Sequence, residues 1–273
     1  SSCMDQRPIG VFDSGSGGLT AVREIRSILP SENIIYFGDT SRVPYGSRSA
    51  EILLRYARQD VGFLRSFDIK AVAVACGTVS TTALPQLRAE NSLPILGVVE
   101  PSCRRAVSVT RNRRVGLIAT AASVRSGAYE RTIAALDPGI TVISKACPLF
   151  VPLVENGRFR AGDPVIETVA REYLTPLRDT GIDTLIMGCT HYPLLAEVIG
   201  DIMGPAVTLV DAGAEVARAL RQELTDRNAL ADRPCGTTTL YASDRPEDFG
   251  LLAGTFLGRP LDEAVRPVDI EQY

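Results

Sequence analysis

The sequence contains a single histidine and no tryptophan among its 273 residues. One imidazole cannot build a histidine-rich metal site, and no C-x-x-C pair is present to replace it. The six cysteines are spread along the whole chain, which favours a reducing, cytoplasmic setting over a disulfide framework. We therefore expect no metal site.

Long apolar runs and dense clusters of one charge are also missing. No stretch approaches the roughly 20 consecutive apolar residues that a membrane span needs. The net charge is −3, and the longest basic cluster, residues 111–114, is interpreted as a solvated loop. We therefore expect neither a membrane nor a nucleic acid as a partner.

Short apolar runs alternate with longer amphipathic segments. Continuous Val-, Ile- and Ala-rich runs predict strands that are covered on both faces, and the segments between them predict helices. The predicted strands are residues 9–12, 34–37, 71–75, 95–98, 115–118, 141–144, 185–187 and 207–209. The predicted helices are residues 19–29, 50–66, 81–90, 126–135, 163–179, 193–203 and 214–227. This alternation predicts an α/β fold with mostly parallel sheets.

Two stretches of the chain are similar to each other. Both "AVAVACGTVSTTALPQL" and "TLIMGCTHYPLLAEVI" read as an apolar strand, a cysteine, a threonine and then a helix. Cys76 and Cys189 are thus predicted at the carboxyl ends of parallel strands, where ligands bind in open α/β sheets, and a helix N-terminus there lowers the pKa of a thiol. The similarity predicts two related α/β halves, with crossings near residues 94–101 and 204–205. Cys103, Cys147 and Cys235 are expected to be small buried hydrophobic residues.

Two loops also follow predicted strands. In "GVFDSGSGGLTAVREI", Asp13 ends a strand and a glycine-rich loop opens a helix, which is typical of an anion site. Neither the Walker pattern nor G-x-G-x-x-G is present. The second loop, "YFGDTSRVPYGSRS", carries Pro44, Tyr45 and Gly46 and on its own indicates a structural turn.

The pair of cysteines suggests a chemistry. A single Cys–His pair is typical of a hydrolase nucleophile. Two cysteines on duplicated halves instead place two acid–base groups on opposite faces of one ligand, which suits racemisation at a carbon next to a carboxylate. Asp13 could then assist Cys76, and His191 could assist Cys189.

Five motifs along the chain resemble a known family, in the family's order. They are "GVFDSGSGGLT", "YFGDTSRVPYGSRS", "ACGTVSTTAL", "CPLFVPLVENG" and "GCTHYPLL". Together they resemble the cofactor-independent glutamate racemases of the aspartate/glutamate racemase family. The resemblance implies two similar α/β domains with the site in the cleft between them, usually in a homodimer. It also implies interconversion of L- and D-glutamate for peptidoglycan synthesis in the bacterial cytoplasm, without pyridoxal phosphate or metal.

The resemblance also assigns roles to residues. Cys76 would act on the D-isomer and Cys189 on the L-isomer, with Asp13 and His191 as their partners. The residues implied to surround glutamate are Asp13, Ser14, Pro44, Tyr45, Gly46, Gly77, Thr78, Thr120, Ser123, Glu155, Thr190 and His191. The first domain is expected to comprise residues 1–98 plus 210–273, carrying Asp13 and Cys76, and the second residues 99–209, carrying Cys189 and His191.

One position departs from the family pattern. The family usually has asparagine after the first cysteine, whereas this chain has Gly77. An amide that would hydrogen-bond the substrate is therefore expected to be missing, while the backbone N–H of Gly77 and the side chain of Thr78 remain. Ala119 replaces a family glycine, which is a minor change.

Three alternatives remain open from the sequence. Cys189 and His191 could serve a hydrolase or amidotransferase, although such pairs generally come from separate segments. Gly77 favours a non-catalytic glutamate-binding protein. Within the family, racemases of aspartate or hydantoins are close competitors, since the two-base chemistry does not depend on the length of the substrate.

Overall fold

Ten strands and twelve α-helices alternate along residues 4–273, which the computed structural model describes apart from the side chain of Leu251. The strands are Ile9–Asp13 (β1), Ile34–Gly38 (β2), Ala71–Val74 (β3), Ile95–Leu96 (β4), Arg114–Ala119 (β5), Thr141–Ala146 (β6), Thr184–Met187 (β7), Thr208–Asp211 (β8), Thr238–Ala242 (β9) and Val265–Pro267 (β10). The helices are Leu19–Ile28 (α1), Ala50–Leu64 (α2), Gly77–Thr82 (α3), Leu84–Glu90 (α4), Val99–Val109 (α5), Ala121–Ser126 (α6), Ala128–Leu136 (α7), Phe150–Glu155 (α8), Pro164–Arg178 (α9), Ala196–Met203 (α10), Ala212–Asp226 (α11) and Pro246–Leu257 (α12). Short 3-10 helices lie at Thr40–Arg42, Tyr192–Leu195 and Ile270–Gln272.

The strands form two parallel sheets. The larger has the order β10-β9-β2-β1-β3-β4, and the smaller has the order β6-β5-β7-β8. All five residues of β1 are buried, as a strand covered by helices on both faces requires. In register, Asp13 at the end of β1 lies beside Gly38 at the end of β2. The predicted α/β class with parallel sheets is therefore confirmed.

The chain passes between the sheets twice. The first predicted crossing, residues 94–101, runs through β4 into α5, which leads to β5 of the smaller sheet. The second, near residues 204–205, is wrong, because β8 still belongs to the smaller sheet and the chain returns through α11 to β9. The predicted two-domain division stays a prediction, and its boundary at 209/210 falls within β8.

Two predicted helices are broken by particular residues. The helix predicted at 81–90 is replaced by α3 and α4, which are separated at Ala83 because Pro85 cannot donate a backbone hydrogen bond to the preceding turn. The helix predicted at 126–135 is preceded by α6, and Gly127, with φ of 68°, separates α6 from α7. The sequence did not predict β9, α12 and β10, because β9 is rich in threonine and α12 contains two glycines.

An apolar core joins the two sheets. One continuous cluster of buried side chains includes Ala75 and Val98 near the larger sheet and Ile118 and Met187 of the smaller one. Helix α11 packs against both α1 and α5, which belong to different halves. This packing holds the carboxyl ends of β1, β3 and β7 near one another.

No helix in the described part of the chain is long and apolar enough to cross a membrane. The longest helices, α2, α9 and α11, have 15 residues each.

A buried ion pair connects two irregular segments to the amino-terminal end of the larger sheet. The side chains of Lys70 and Glu32 are each 1% exposed and form a salt bridge. Lys70 Nζ also donates to the backbone oxygens of Asp5 (2.7 Å) and Ala229 (2.8 Å). Glu32 Oε2 accepts from the backbone N–H of Ala231 at 2.8 Å. The pair therefore fixes both the N-terminal segment and the chain that follows α11.

Replacing Lys70 with methionine is expected to lower the free energy of unfolding by about 3–5 kcal/mol, because Glu32 keeps its buried charge and loses its counter-ion. Urea denaturation monitored by circular dichroism measures this loss. The matched control is Arg104→Met, which removes an exposed partner of Glu100 and is expected to cost less than about 1 kcal/mol. Equal losses in the two variants would contradict the structural role of Lys70.

Candidate active site

A cavity of about 380 Å³ lies where the carboxyl ends of the two sheets meet. The candidate site residues that line it are Asp13, Ser14, Pro44, Tyr45, Gly46, Cys76, Gly77, Thr78, Thr120, Glu155, Cys189, Thr190 and His191. A larger groove of about 590 Å³ lies beside Lys70 and contains none of them. The loop with Pro44, Tyr45 and Gly46, which by itself indicated only a turn, is thus part of the cavity wall.

Ser123 is the one candidate residue that does not line the cavity. It is fully buried, and its Oγ accepts from the hydroxyls of Thr120 (3.2 Å) and Thr81 (3.3 Å). The Oγ1 atoms of Thr120 and Thr78 are in turn 2.9 Å apart. Ser123 therefore supports the cavity wall from behind and links α3 to α6.

Asp13 occupies the end of β1 and is 1% exposed. Its Oδ2 accepts from the backbone N–H of Gly18 at 2.7 Å, at the start of α1. The anion that the glycine-rich loop binds is thus the chain's own carboxylate. Burial raises the pKa of Asp13, while the charge of His191 and the hydrogen bonds oppose this rise. Asp13 therefore binds a proton more readily than an exposed aspartate.

Cys76 lies between β3 and α3 and is 4% exposed. Burial, and to a smaller extent the negative charge of Asp13, raises the pKa of this thiol well above its usual value. The backbone N–H groups of Val79 and Thr78 oppose this rise. The expectation that a helix N-terminus lowers the pKa is therefore wrong for Cys76. The reason is that α3 has only six residues and desolvation outweighs its N–H groups.

Cys189 follows β7 and Gly188 and is half-buried. The helix predicted directly after it begins instead as the 3-10 helix Tyr192–Leu195, with Pro193 in its first turn, and continues as α10. His191 lies directly before this turn and lines the cavity.

His191 has partners at both ring nitrogens. Its Nε2 lies 2.9 Å from Glu155 Oε1, and its Nδ1 lies 3.1 Å from Thr190 Oγ1. Burial by itself would lower the pKa of His191, but the Cys189 sulfur and the Glu155 carboxylate outweigh burial and raise the pKa to about 10. The ring is therefore an imidazolium at neutral pH, with both N–H groups donating.

Thr190 connects the two sides of the cavity. Its Oγ1 accepts from the Nδ1–H of His191 and donates to Asp13 Oδ2 at 3.3 Å. Its backbone oxygen accepts from the hydroxyl of Thr20 on α1 at 2.9 Å. A chain of hydrogen bonds therefore runs from Glu155 through His191 and Thr190 to Asp13.

Two glycines adjoin the two cysteines and touch each other. A Cβ atom built on Gly77 would collide with the backbone oxygen of Gly188. Gly77 follows Cys76, and Gly188 precedes Cys189. The missing side chain at position 77 thus lets the two cysteine-bearing segments approach closely.

No group of three or more His, Cys, Asp or Glu side chains within residues 4–273 is arranged to hold a metal ion. The cysteines of this range, Cys76, Cys103, Cys147, Cys189 and Cys235, are free thiols, and Cys3 lies outside it. Cys103 and Cys147 are buried as expected, whereas Cys235 is exposed because it lies in the irregular segment before β9.

Comparisons with known proteins agree with this geometry. The family model of the Asp/Glu/hydantoin racemases matches residues 21–220. The chain belongs to this family. It is 46% identical to a glutamate racemase of Geobacter metallireducens over 263 residues, covering 95% of this chain and 96% of the relative. The enzyme is therefore an isomerase of the amino-acid racemase type.

Solved structures extend the similarity to the whole fold. A glutamate racemase isoform of Bacillus anthracis has a TM-score of 0.92 at 37% identity, covering 97% of this chain and 98% of that one. A glutamate racemase of Francisella tularensis, solved in complex with D-glutamate, has a TM-score of 0.91 at 36% identity, covering 99% and 100%. The arrangement of the two sheets is thus that of glutamate racemases.

The apolar part of the cavity wall was not predicted from the sequence. Val43, Pro148, Val151 and Pro152 line the cavity together with Gly15, Ser47, Ala121, Asn156 and Gly188. The motif "CPLFVPLVENG" signalled this region, but its helix α8 was not predicted because it is short and contains a proline. These side chains give the cavity an apolar side opposite its polar residues.

Replacing Glu155 with glutamine is expected to lower the pKa of His191 from about 10 towards the usual value of about 6.5, because the ring loses an ionic partner. Since the chain has one histidine, an NMR titration of the imidazole follows this residue alone. The stabilisation linked to the raised pKa is complete below about pH 6.5 and is lost as the pH rises through about 10. Glu197→Gln, an exposed change on α10, is the control, and an unchanged pKa in Glu155→Gln would refute the pairing.

Replacing Gly77 with alanine is expected to lower racemase activity by about 10- to 100-fold, because the added methyl group must push the two cysteine-bearing segments apart. Gly200→Ala on α10 is the matched control, since a Cβ there would meet its nearest atom only at 3.9 Å. Circular dichroism confirms that both variants fold. Wild-type activity in Gly77→Ala would show that the contact does not set the catalytic geometry.

Proposed function

We propose that the enzyme interconverts L- and D-glutamate with two thiols, Cys76 and Cys189. One sulfur removes the proton at Cα, and the other delivers a proton to the opposite face of the same carbon. The observation that supports this most is that these cysteines reach one cavity from different sheets, each beside its own titratable partner. Asp13 adjoins Cys76, and His191 adjoins Cys189. A stepwise exchange of hydrogen between two faces of one carbon needs this arrangement.

From D-glutamate, the Cys76 thiolate removes the α-hydrogen as a proton and becomes a thiol. The electron pair left on Cα then takes a proton from the Cys189 thiol on the opposite face, which leaves Cys189 as a thiolate. From L-glutamate the same steps run in the opposite direction. Each turnover thus exchanges the protonation states of the two sulfurs, and each sulfur needs a partner that resets it.

The two partners suit opposite starting states. Cys76 is a neutral thiol in the empty site, because burial and Asp13 raise its pKa. The raised proton affinity of Asp13 makes it a suitable acceptor for the proton that Cys76 must release. On the other side, the imidazolium of His191 stabilises negative charge on the Cys189 sulfur and can supply its proton.

The remaining candidate residues would hold the substrate. The hydroxyl of Ser14 lines the cavity and can donate to a carboxylate oxygen. The hydroxyls of Thr78 and Thr120 can do so after turning from their present partners, which are each other and Ser123. Gly77 offers only its backbone N–H, so binding relies on these hydroxyl groups. Glutamate is preferred over aspartate or a hydantoin because the chain is similar over nearly its full length to glutamate racemases, one of them with D-glutamate bound.

We propose a cytoplasmic homodimer that supplies D-glutamate for peptidoglycan, with domains at residues 1–98 plus 210–273 and at 99–209. Growth of a bacterium that depends on external D-glutamate, after introduction of this chain, tests the cellular role. Light scattering after size exclusion tests the dimer.

In deuterated water, both glutamate isomers are expected to gain deuterium at Cα, and both aspartate isomers far less. Cys76→Ala and Cys189→Ala should each lower racemisation by about 10²–10⁴-fold, because each removes one acid–base group. Cys235→Ser serves as the control, because Cys235 is exposed and does not line the cavity.

Three outcomes would contradict the proposal. Full racemisation by both cysteine variants would disprove the two-thiol mechanism. Ammonia released from an amide substrate, with an acyl group trapped on Cys189, would indicate a hydrolase or amidotransferase. Calorimetric binding of glutamate without isotope exchange would indicate a non-catalytic binding protein.

A further inference from the structure

A buried group of four side chains adjoins the cavity wall and has no part in the proposed proton transfer. This Tyr45 cluster consists of Asp39 after β2, Arg42 in the first 3-10 helix, Tyr45 in the wall and Asp60 on α2. Asp39 and Asp60 are fully buried, and Tyr45 is 1% exposed. Two buried carboxyl groups at one phenol raise the question of which of them is protonated.

The phenol oxygen of Tyr45 contacts both carboxyl groups. It is hydrogen-bonded to Asp39 Oδ2 and lies 2.7 Å from Asp60 Oδ2. A phenol carries one hydrogen, and an ionised carboxylate can only accept. If both carboxyl groups were ionised, one of the two contacts would set lone pairs against each other. One carboxyl group must therefore be protonated and donate to Tyr45.

The surroundings show which carboxyl group carries the proton. Asp39 accepts from Arg42 Nε at 2.8 Å and from Ser243 Oγ at 2.7 Å, as an ionised carboxylate does. Asp60 has, besides the phenol, Arg42 Nη2 at 3.3 Å and the carboxyl group of Asp39, which cannot donate to Asp60 while it is ionised. Burial, followed by the charge of Asp39, raises the pKa of Asp60 well above its usual value. Asp60 therefore donates a hydrogen bond to Tyr45, and the Tyr45 hydroxyl donates one to Asp39.

Tyr45 belongs to a continuous stretch of wall, residues 43–47, all of which line the cavity. Next to it, the Gly46 oxygen accepts from the Ala122 N–H of the other half at 3.2 Å. A Cβ on Gly46 would lie only 3.0 Å from Thr120 Cβ, so the wall and the opposite half are in close contact. A shift of the phenol therefore moves the wall against the hydroxyls that face the substrate.

We propose that Asp60 is a positioning residue that acts as a neutral acid, donating to Tyr45 and so holding the 43–47 wall in its binding position. The Asp39 carboxylate and the Arg42 guanidinium complete the cluster as an ion pair. Loss of the Asp60 proton would place two carboxylates at one phenol and release the wall. The inference rests on the proposed function only for its kinetic readout.

The other polar and charged groups around the cluster do not supply that proton. Arg42 Nη1 contacts Gln59 and lies 3.5 Å from Glu271 Oε1, which is an exposed carboxylate. The Arg42 guanidinium lies 4.0 Å from the centre of the Tyr56 ring, and Arg48 lies 5.6 Å from the same centre. None of these contacts involves Asp60 Oδ2. The carboxyl group of Asp39 also adjoins Asp60, and its negative charge and its hydrogen bond both favour the protonated form of Asp60.

The decisive variant is Asp60→Asn, because an amide donates to Tyr45 as the neutral acid does and cannot ionise. We expect its KM to stay within about threefold of wild type at neutral pH and to lack the rise that wild type shows at alkaline pH. Asp60→Ala removes the donor and is expected to raise KM about tenfold, with kcat changed far less. Similar damage in both variants would overturn the proposal.

Infrared spectroscopy tests the protonation state without any substrate. The difference spectrum of wild type minus Asp60→Asn at neutral pH should contain the C=O stretch of a neutral carboxylic acid. Asp226→Asn, at an exposed carboxylate on α11, should give no such band. Absence of the band for Asp60 would overturn the proposal. If glutamate is not the substrate, the kinetic measurements fail for all variants while the infrared result still decides.

Discussion

The contact between the backbones at Gly77 and Gly188 sets how closely the two cysteines approach, and the rest of the cavity depends on it. Each glycine adjoins a cysteine at the carboxyl end of a strand, and the two strands belong to different sheets. Gly188 is confined on its other side as well, since a Cβ there would lie 3.0 Å from the Ile118 oxygen. Position 77 therefore has no room for a side chain unless the two cysteine-bearing segments move apart.

Within that spacing, the two cysteines have different titratable neighbours. Cys76 faces the carboxylate of Asp13, whereas Cys189 lies beside the His191 imidazolium, whose charge Glu155 balances. The hydroxyl of Thr190 connects the two sides through hydrogen bonds. In the proposed two-thiol mechanism, each sulfur loses a proton in one direction and gains one in the other, so each needs a titratable partner. Asp13 would serve on one side, so a single histidine is sufficient.

The sequence predicted the parallel α/β fold and nearly all of the polar residues of the cavity, because buried strands and the residues at their ends leave local patterns. It did not predict the apolar wall or the Tyr45 cluster, since these depend on distant segments that meet only in the fold. Val43 and Pro152 come from opposite halves, and Asp39 and Asp60 are separated by 3-10 and α-helical turns. The direction of the Cys76 pKa shift also escaped prediction, because burial is a tertiary property.

Burial of acidic groups in and near the cavity has a cost in stability. Asp13, Asp60 and Cys76 all have a raised pKa, so the unfolded chain releases their protons more readily than the folded chain. For the two aspartates, stability is therefore lost as the pH rises from their usual pKa towards the raised value. The apolar core shared by both sheets, which includes Ala75 beside Cys76 and packs against Cys189, offsets this loss. The residues that stabilise the fold therefore directly adjoin those that burial keeps in an unfavourable state, because the same apolar core that joins the two sheets also desolvates the cavity.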